Sequence, residues 1–178
     1  MISSALVLAA LVLQQPAPRP APATVAARQA AFDTTKAVVG EVGRAVGQVK
    51  SGLDVYRRAV FNGADEEVLH NADYLRAACV GVDSVARHAV GRICRRCADA
   101  DAQRAFENYR LMLPDLGRGM ARCAAQLWKL ERRPDGPKRL RQDVRVIGNP
   151  IVATLRYYEA KLAVVLQALH ITPAPPAR

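Results

Sequence analysis

Four stretches of this chain carry apolar residues at alternating steps of three and four. The first runs from Phe32 through Val39, Val46 and Leu53 to Val60. The second runs from Val68 through Leu75 and Cys79 to Ile93 and Cys97. The third runs from Ala102 through Tyr109 and Leu116 to Leu130, and the fourth from Leu140 through Ile151 and Tyr158 to Leu169. Such steps keep side chains on one stripe of a helix and make a coiled-coil-like seam. A strand needs a period of two, which none of the four shows.

Turn chemistry separates the stretches. Asn62-Gly63 follows the first, with Asp65, Glu66 and Glu67 opening the second. Asp99-Ala100-Asp101 follows the second, and Pro134-Asp135-Gly136-Pro137 the third. Carboxylates favour helix N-termini, where unpaired amides carry partial positive charge, and Gly and Pro end helices. Short loops make each helix antiparallel to the one before. In an antiparallel pair one residue number rises as its neighbour's falls, so level partners have numbers adding to a constant. Val49–Cys79, Leu53–Leu75 and Val60–Val68 share one constant. Cys79–Cys123, Leu75–Leu127 and Val82–Met120 share a second, and Leu127–Val144 and Leu116–Leu155 a third. Whole layers follow, such as Leu53, Leu75, Leu127 and Val144.

The pattern predicts an all-α chain, an antiparallel up-down-up-down four-helix bundle with coiled-coil-like layers. Its helices are expected near residues 24–61, 65–98, 101–132 and 137–171. Gly40, Gly43 and Gly47 share one side of the first helix and predict close approach of a neighbour there. Pro114 and Pro150 predict kinks, with Asn149-Pro150 read as a cap and restart of the last helix.

The 178 residues make about one domain, 24–171, with distinct ends. Residues 1–23 read as a signal peptide or retained N-terminal anchor followed by a Pro/Ala-rich linker. Ala5–Leu13 is apolar but too short to span a bilayer as a mature anchor. Residues 172–178 read as a disordered tail. The expected location is periplasmic or secreted, with membrane attachment only through an uncleaved N-terminal segment.

A net charge of +10 invites a nucleic-acid reading. Export argues against it, and no nucleic-acid motif is present. The excess lies in residues 87–145. The cluster around the third turn, including Arg133, Arg139 and Arg141, falls at the same end as Asp65–Glu67 and is expected to be partly neutralised there. Arg92, Arg95, Arg96 and Arg104 remain near the opposite end, where they suit an anionic envelope component.

Four cysteines in an oxidising compartment read as disulfides. Register pairs Cys79 with Cys123, level on facing seams, and leaves Cys94 with Cys97 as a second bridge or a thiol-redox pair. Covalent haem attachment uses Cys-x-x-Cys-His, and Ala98 stands where the histidine belongs. His70 and His88 share a face but lie five turns apart, and His170 neighbours Asp99 and Asp101, carboxylates better read as caps. No cofactor and no metal is expected. Tyr56, Tyr109 and Tyr158 are expected to turn their rings inward and find partners for their hydroxyls. No Gly-rich phosphate loop, nucleophile triad or buried carboxylate pair is recognisable. The expectation is an exported, non-enzymatic helical protein binding an unknown protein or anionic component of the cell envelope. The alternative is a periplasmic small-ligand, haem or thiol-redox protein using Cys94 and Cys97.

Overall fold

The computed structural model describes residues 25–170. The expectations for residues 1–23 and 172–178 lie outside these. Among the described residues the chain is all-helical, with five helices and no strand: α1 (Val25–Asn62), α2 (Asp65–Ala89), α3 (Ala100–Glu131), α4 (Gly136–Gln142) and α5 (Val144–Ala168). None of them is long and apolar enough to cross a membrane.

Contacts between α1 and α2 and between α2 and α3 follow the register. Gly52 of α1 lies against Leu75 of α2, where an added Cβ would sit 3.4 Å from the Leu75 Cα. Between α2 and α3, Cys79 and Cys123 meet, and Gly117 faces Asp83 and Ala86. Small residues at these crossings let backbones approach, so the interior fills with Val, Leu and Ala rather than with large rings. Val42, Val49, Val68, Leu75, Ala72, Val82, Leu113 and Leu127 are fully buried. Tyr109 and Tyr158 join α3 to α5, their rings tilted at a 6.0 Å centroid distance and their hydroxyls 3.1 Å apart. The Tyr56 hydroxyl donates to the Leu140 carbonyl at 2.8 Å, so a core ring of α1 holds α4 by its backbone.

Three expectations are corrected. The second helix stops at Ala89, not near 98, because the Ala89 carbonyl takes the Arg92 amide in a tight turn and the Cys94 amide turns to a side chain of α1. Ile93 is nonetheless buried, so the apolar pattern outlasts the helix. The predicted fourth helix is two, divided at Asp143 rather than at Asn149-Pro150. Asp143 leaves helical geometry at φ −94°, ψ 9°, yet its amide still bonds Arg139 and its carbonyl still receives Ile147, so the break is one residue long. Pro150 lies inside α5 on its exposed face, where the carbonyl it cannot bond opens to water. The glycine side of α1 meets no close neighbour. A Cβ on Gly43 or Gly47 would find nothing within 4 Å. Here α5 reaches α1 through long polar side chains, a Lys50–Glu159 ion pair and Arg57 lying over Gly148, which hold the helices apart.

The third-turn charges are partly neutralised internally. Arg141 of α4 donates to the Val60 carbonyl at 2.9 Å, the Gly63 carbonyl at 3.0 Å and the Asp65 carboxylate at 2.7 Å. It thereby satisfies carbonyls at the C-terminus of α1, where positive charge is favoured, and ties them to the start of α2. Arg133 and Arg139 both pair with Asp135. Glu131 is mostly buried beside Arg76, 2.9 Å away, and burial outweighs that partner to raise its pKa.

Burial pushes Tyr56 and Tyr109 far above the ordinary phenol value of 10.0, and Tyr158 up to about 12. A phenol whose folded pKa is raised contributes stability that is complete below the unfolded value and lost as pH rises above it. Stability is therefore expected to fall above pH 10, by about 1.4 kcal/mol per pH unit for each buried phenol. In an alkaline titration these three tyrosinates should appear together with the loss of helical circular dichroism, not before it.

Candidate functional site

Residues 90–99 connect α2 to α3 as the longest irregular segment among the described residues. Side chains from two helices fix its backbone. Thr35 of α1, fully buried, accepts the Cys94 amide at 3.0 Å on its hydroxyl while donating to the Ala31 carbonyl. Gln103 of α3 holds both ends of the Cys94–Cys97 stretch: its Nε2 donates to the Cys94 carbonyl at 3.1 Å, and its Oε1 accepts the Cys97 amide at 3.2 Å. Asp99 then caps α3, its Oδ1 accepting the amides of Asp101 and Ala102 at 3.0 and 2.9 Å. The cap matches the sequence expectation for this carboxylate.

Cys94 and Cys97 form a close pair in disulfide geometry, with Cα atoms 6.0 Å apart. Cys79 and Cys123 stand unbonded and buried, their Sγ atoms 2.7 Å apart, against about 2.05 Å for a disulfide bond. Contact with Cys123, reinforced by burial, pushes the Cys79 thiol well above its ordinary range. A thiol so held is a poor nucleophile.

The structure separates the four arginines singled out from the sequence. Arg92 is tied to Glu41 by both terminal nitrogens, at 2.6 and 3.1 Å, and Arg104 to Asp101. Arg95 and Arg96 form no ion pair among the described residues and lie inside the clamped Cys94–Cys97 stretch, both exposed. Arg28, from the start of α1, joins them. Together they line two adjoining cavities of about 520 and 570 Å³. Behind Arg110, Arg95 helps hold the Glu107 carboxyl below its ordinary range. Sequence reading missed Arg28, Thr35 and Gln103. The signal for Thr35 was its place as a polar residue on the apolar stripe between Phe32 and Val39; Gln103 gave no signal, because only a folded loop offers it an amide and a carbonyl together.

The histidines stay apart. His88 bonds the Ser84 carbonyl of its own helix at 2.7 Å. His170, at φ 53°, shares a cavity of about 280 Å³ with Asp99 and Asp101. Among the described residues no group of three His, Cys, Asp or Glu side chains is placed to hold a metal ion. No protein-family model matches the chain, no curated protein matches its sequence, and no solved structure matches it.

Two outcomes follow from this geometry. Gln103→Leu removes both clamps from one side of the loop and should cost about 1–2 kcal/mol. It should also speed tryptic cleavage after Arg95 and Arg96, read by mass spectrometry of timed digests. Oxidation is expected to join Cys79 to Cys123 while the chain folds, before burial suppresses the thiolate. The bridge spans 44 residues and adds about 3–4 kcal/mol in the loop-entropy view. Cys123→Ser should then lower the melting temperature under oxidising conditions and much less under reducing ones.

Proposed function

We propose that this chain is an exported, non-enzymatic antiparallel helical bundle that binds an anionic component of the cell envelope through its α2–α3 loop. The observation that carries the reading is the clamped loop itself. Thr35 and Gln103 fix it at three backbone groups, and it presents Arg95 and Arg96 at open cavities while the interior is filled with apolar side chains. A binding surface needs fixed donors open to a partner. A catalytic site needs titratable groups converging in a cleft.

The second reading, thiol-redox chemistry at Cys94 and Cys97, draws on the same cluster, since neighbouring cations stabilise a thiolate. Sedimentation with washed envelope fragments separates the two. The exported protein is expected to pellet with the fragments at low salt and to be released as the Debye length shrinks to about 8 Å near 0.15 M salt. A protein that stays in the supernatant while its reduced Cys94 reacts rapidly with a disulfide reagent near neutral pH would favour the redox reading. A Soret band in the purified material would favour haem.

A further inference from the structure

We propose that Arg28, Arg95 and Arg96 form a binding site for a phosphate group, carried either as the free anion or on a lipid headgroup. The proposal rests on the envelope-binding reading and names the chemistry of its site. Both cavities beside the loop are lined by the same three arginines, brought from separate parts of the chain. Arg28 comes from the start of α1, whereas Arg95 and Arg96 come from the loop that Thr35 and Gln103 immobilise.

Most of the surrounding carboxylates are paired with other arginines. Asp99 lines one cavity and brings one negative charge to it, its Oδ1 accepting two amides at the start of α3, so that three arginines there face a single carboxylate. Glu107 pairs with Arg110, Asp101 with Arg104, and Glu41 with Arg92. Three positive groups therefore share one concave surface without a full complement of internal counter-charge. Guanidiniums are planar forks of donors that match the paired oxygens of an oxyanion. A phosphate carries about −1.5 to −2 at neutral pH on three strong acceptor oxygens, so it meets three such forks better than a monovalent carboxylate does. A further cavity, between α1 and α5, offers Arg57 and Arg145 beside the exposed ring of Phe61 and is less suited to a compact dianion.

Titration calorimetry of the full chain with inorganic phosphate tests the free-anion arm. Flotation with phosphatidic acid vesicles, against phosphatidylcholine vesicles, tests the headgroup arm. Binding is expected in at least one arm, weakened about tenfold for each guanidinium removed in Arg28→Ala and in the Arg95→Ala/Arg96→Ala pair. The pair Arg104→Ala/Arg118→Ala removes equal charge from arginines paired elsewhere, with Asp101 and Asp115, and should leave binding nearly unchanged. Equal loss in both pairs would reduce the site to diffuse attraction and overturn it, as would no binding in either arm. Thermal melts of each variant confirm that the fold is intact; all five positions are exposed. The two ideas fail separately. Envelope sedimentation that persists while phosphate and phosphatidic acid are ignored sinks the phosphate site alone. Phosphate binding without sedimentation sinks the envelope reading alone.

Discussion

The close seam between α2 and α3 is the contact on which the rest depends. Cys79 meets Cys123 and Ala86 meets Gly117 across it, and small side chains bring the backbones together. Close approach leaves an interior filled almost wholly by apolar side chains. Among the described residues the polar groups buried in the core are mainly hydroxyls and thiols that bond locally, on Thr35, three tyrosines and two cysteines, with the Glu131 carboxyl mostly buried beside Arg76. Chemistry is therefore displaced to the ends of the helices, where loops leave backbone groups and cations exposed.

The two ends use their arginines differently. At the α1–α2 turn, Arg141 closes on carbonyls and a carboxylate and acts as a structural pin. Around the α2–α3 loop, Arg92 and Arg104 are also consumed by partners, while Arg28, Arg95 and Arg96 are left facing cavities. A basic composition alone does not distinguish these roles. What distinguishes them is whether a carboxylate lies within reach, and that depends on how α1, α2 and α3 meet.

Much of the fold was legible because helical period and register are properties of the sequence itself. The facing of Cys79 and Cys123, the burial of the tyrosine rings and the capping role of Asp99 all follow from spacing. The misreadings have separate physical causes. Ile93 and Cys97 continue the apolar pattern, so α2 was extended over a loop that buries Ile93 without helical hydrogen bonds. Pro150 drew the expected break away from Asp143, although a proline on an exposed helix face leaves its orphaned carbonyl to water. The glycines of α1 suggested close contact, but charges on α5 meet that side at arm's length. In the site, Arg95 and Arg96 were visible as a basic run. Arg28 and Gln103 were not, because each acquires its role only from residues distant in the chain.

Native-state hydrogen exchange, resolved by residue, tests the central claim most directly. If the α2–α3 seam organises the fold, the slowest amides should lie in α2 and α3 around Cys79 and Cys123, exchanging only with global unfolding, while the outer turns of α5 open first. Slowest exchange in α1 or α5, with α2 and α3 opening early, would contradict the account.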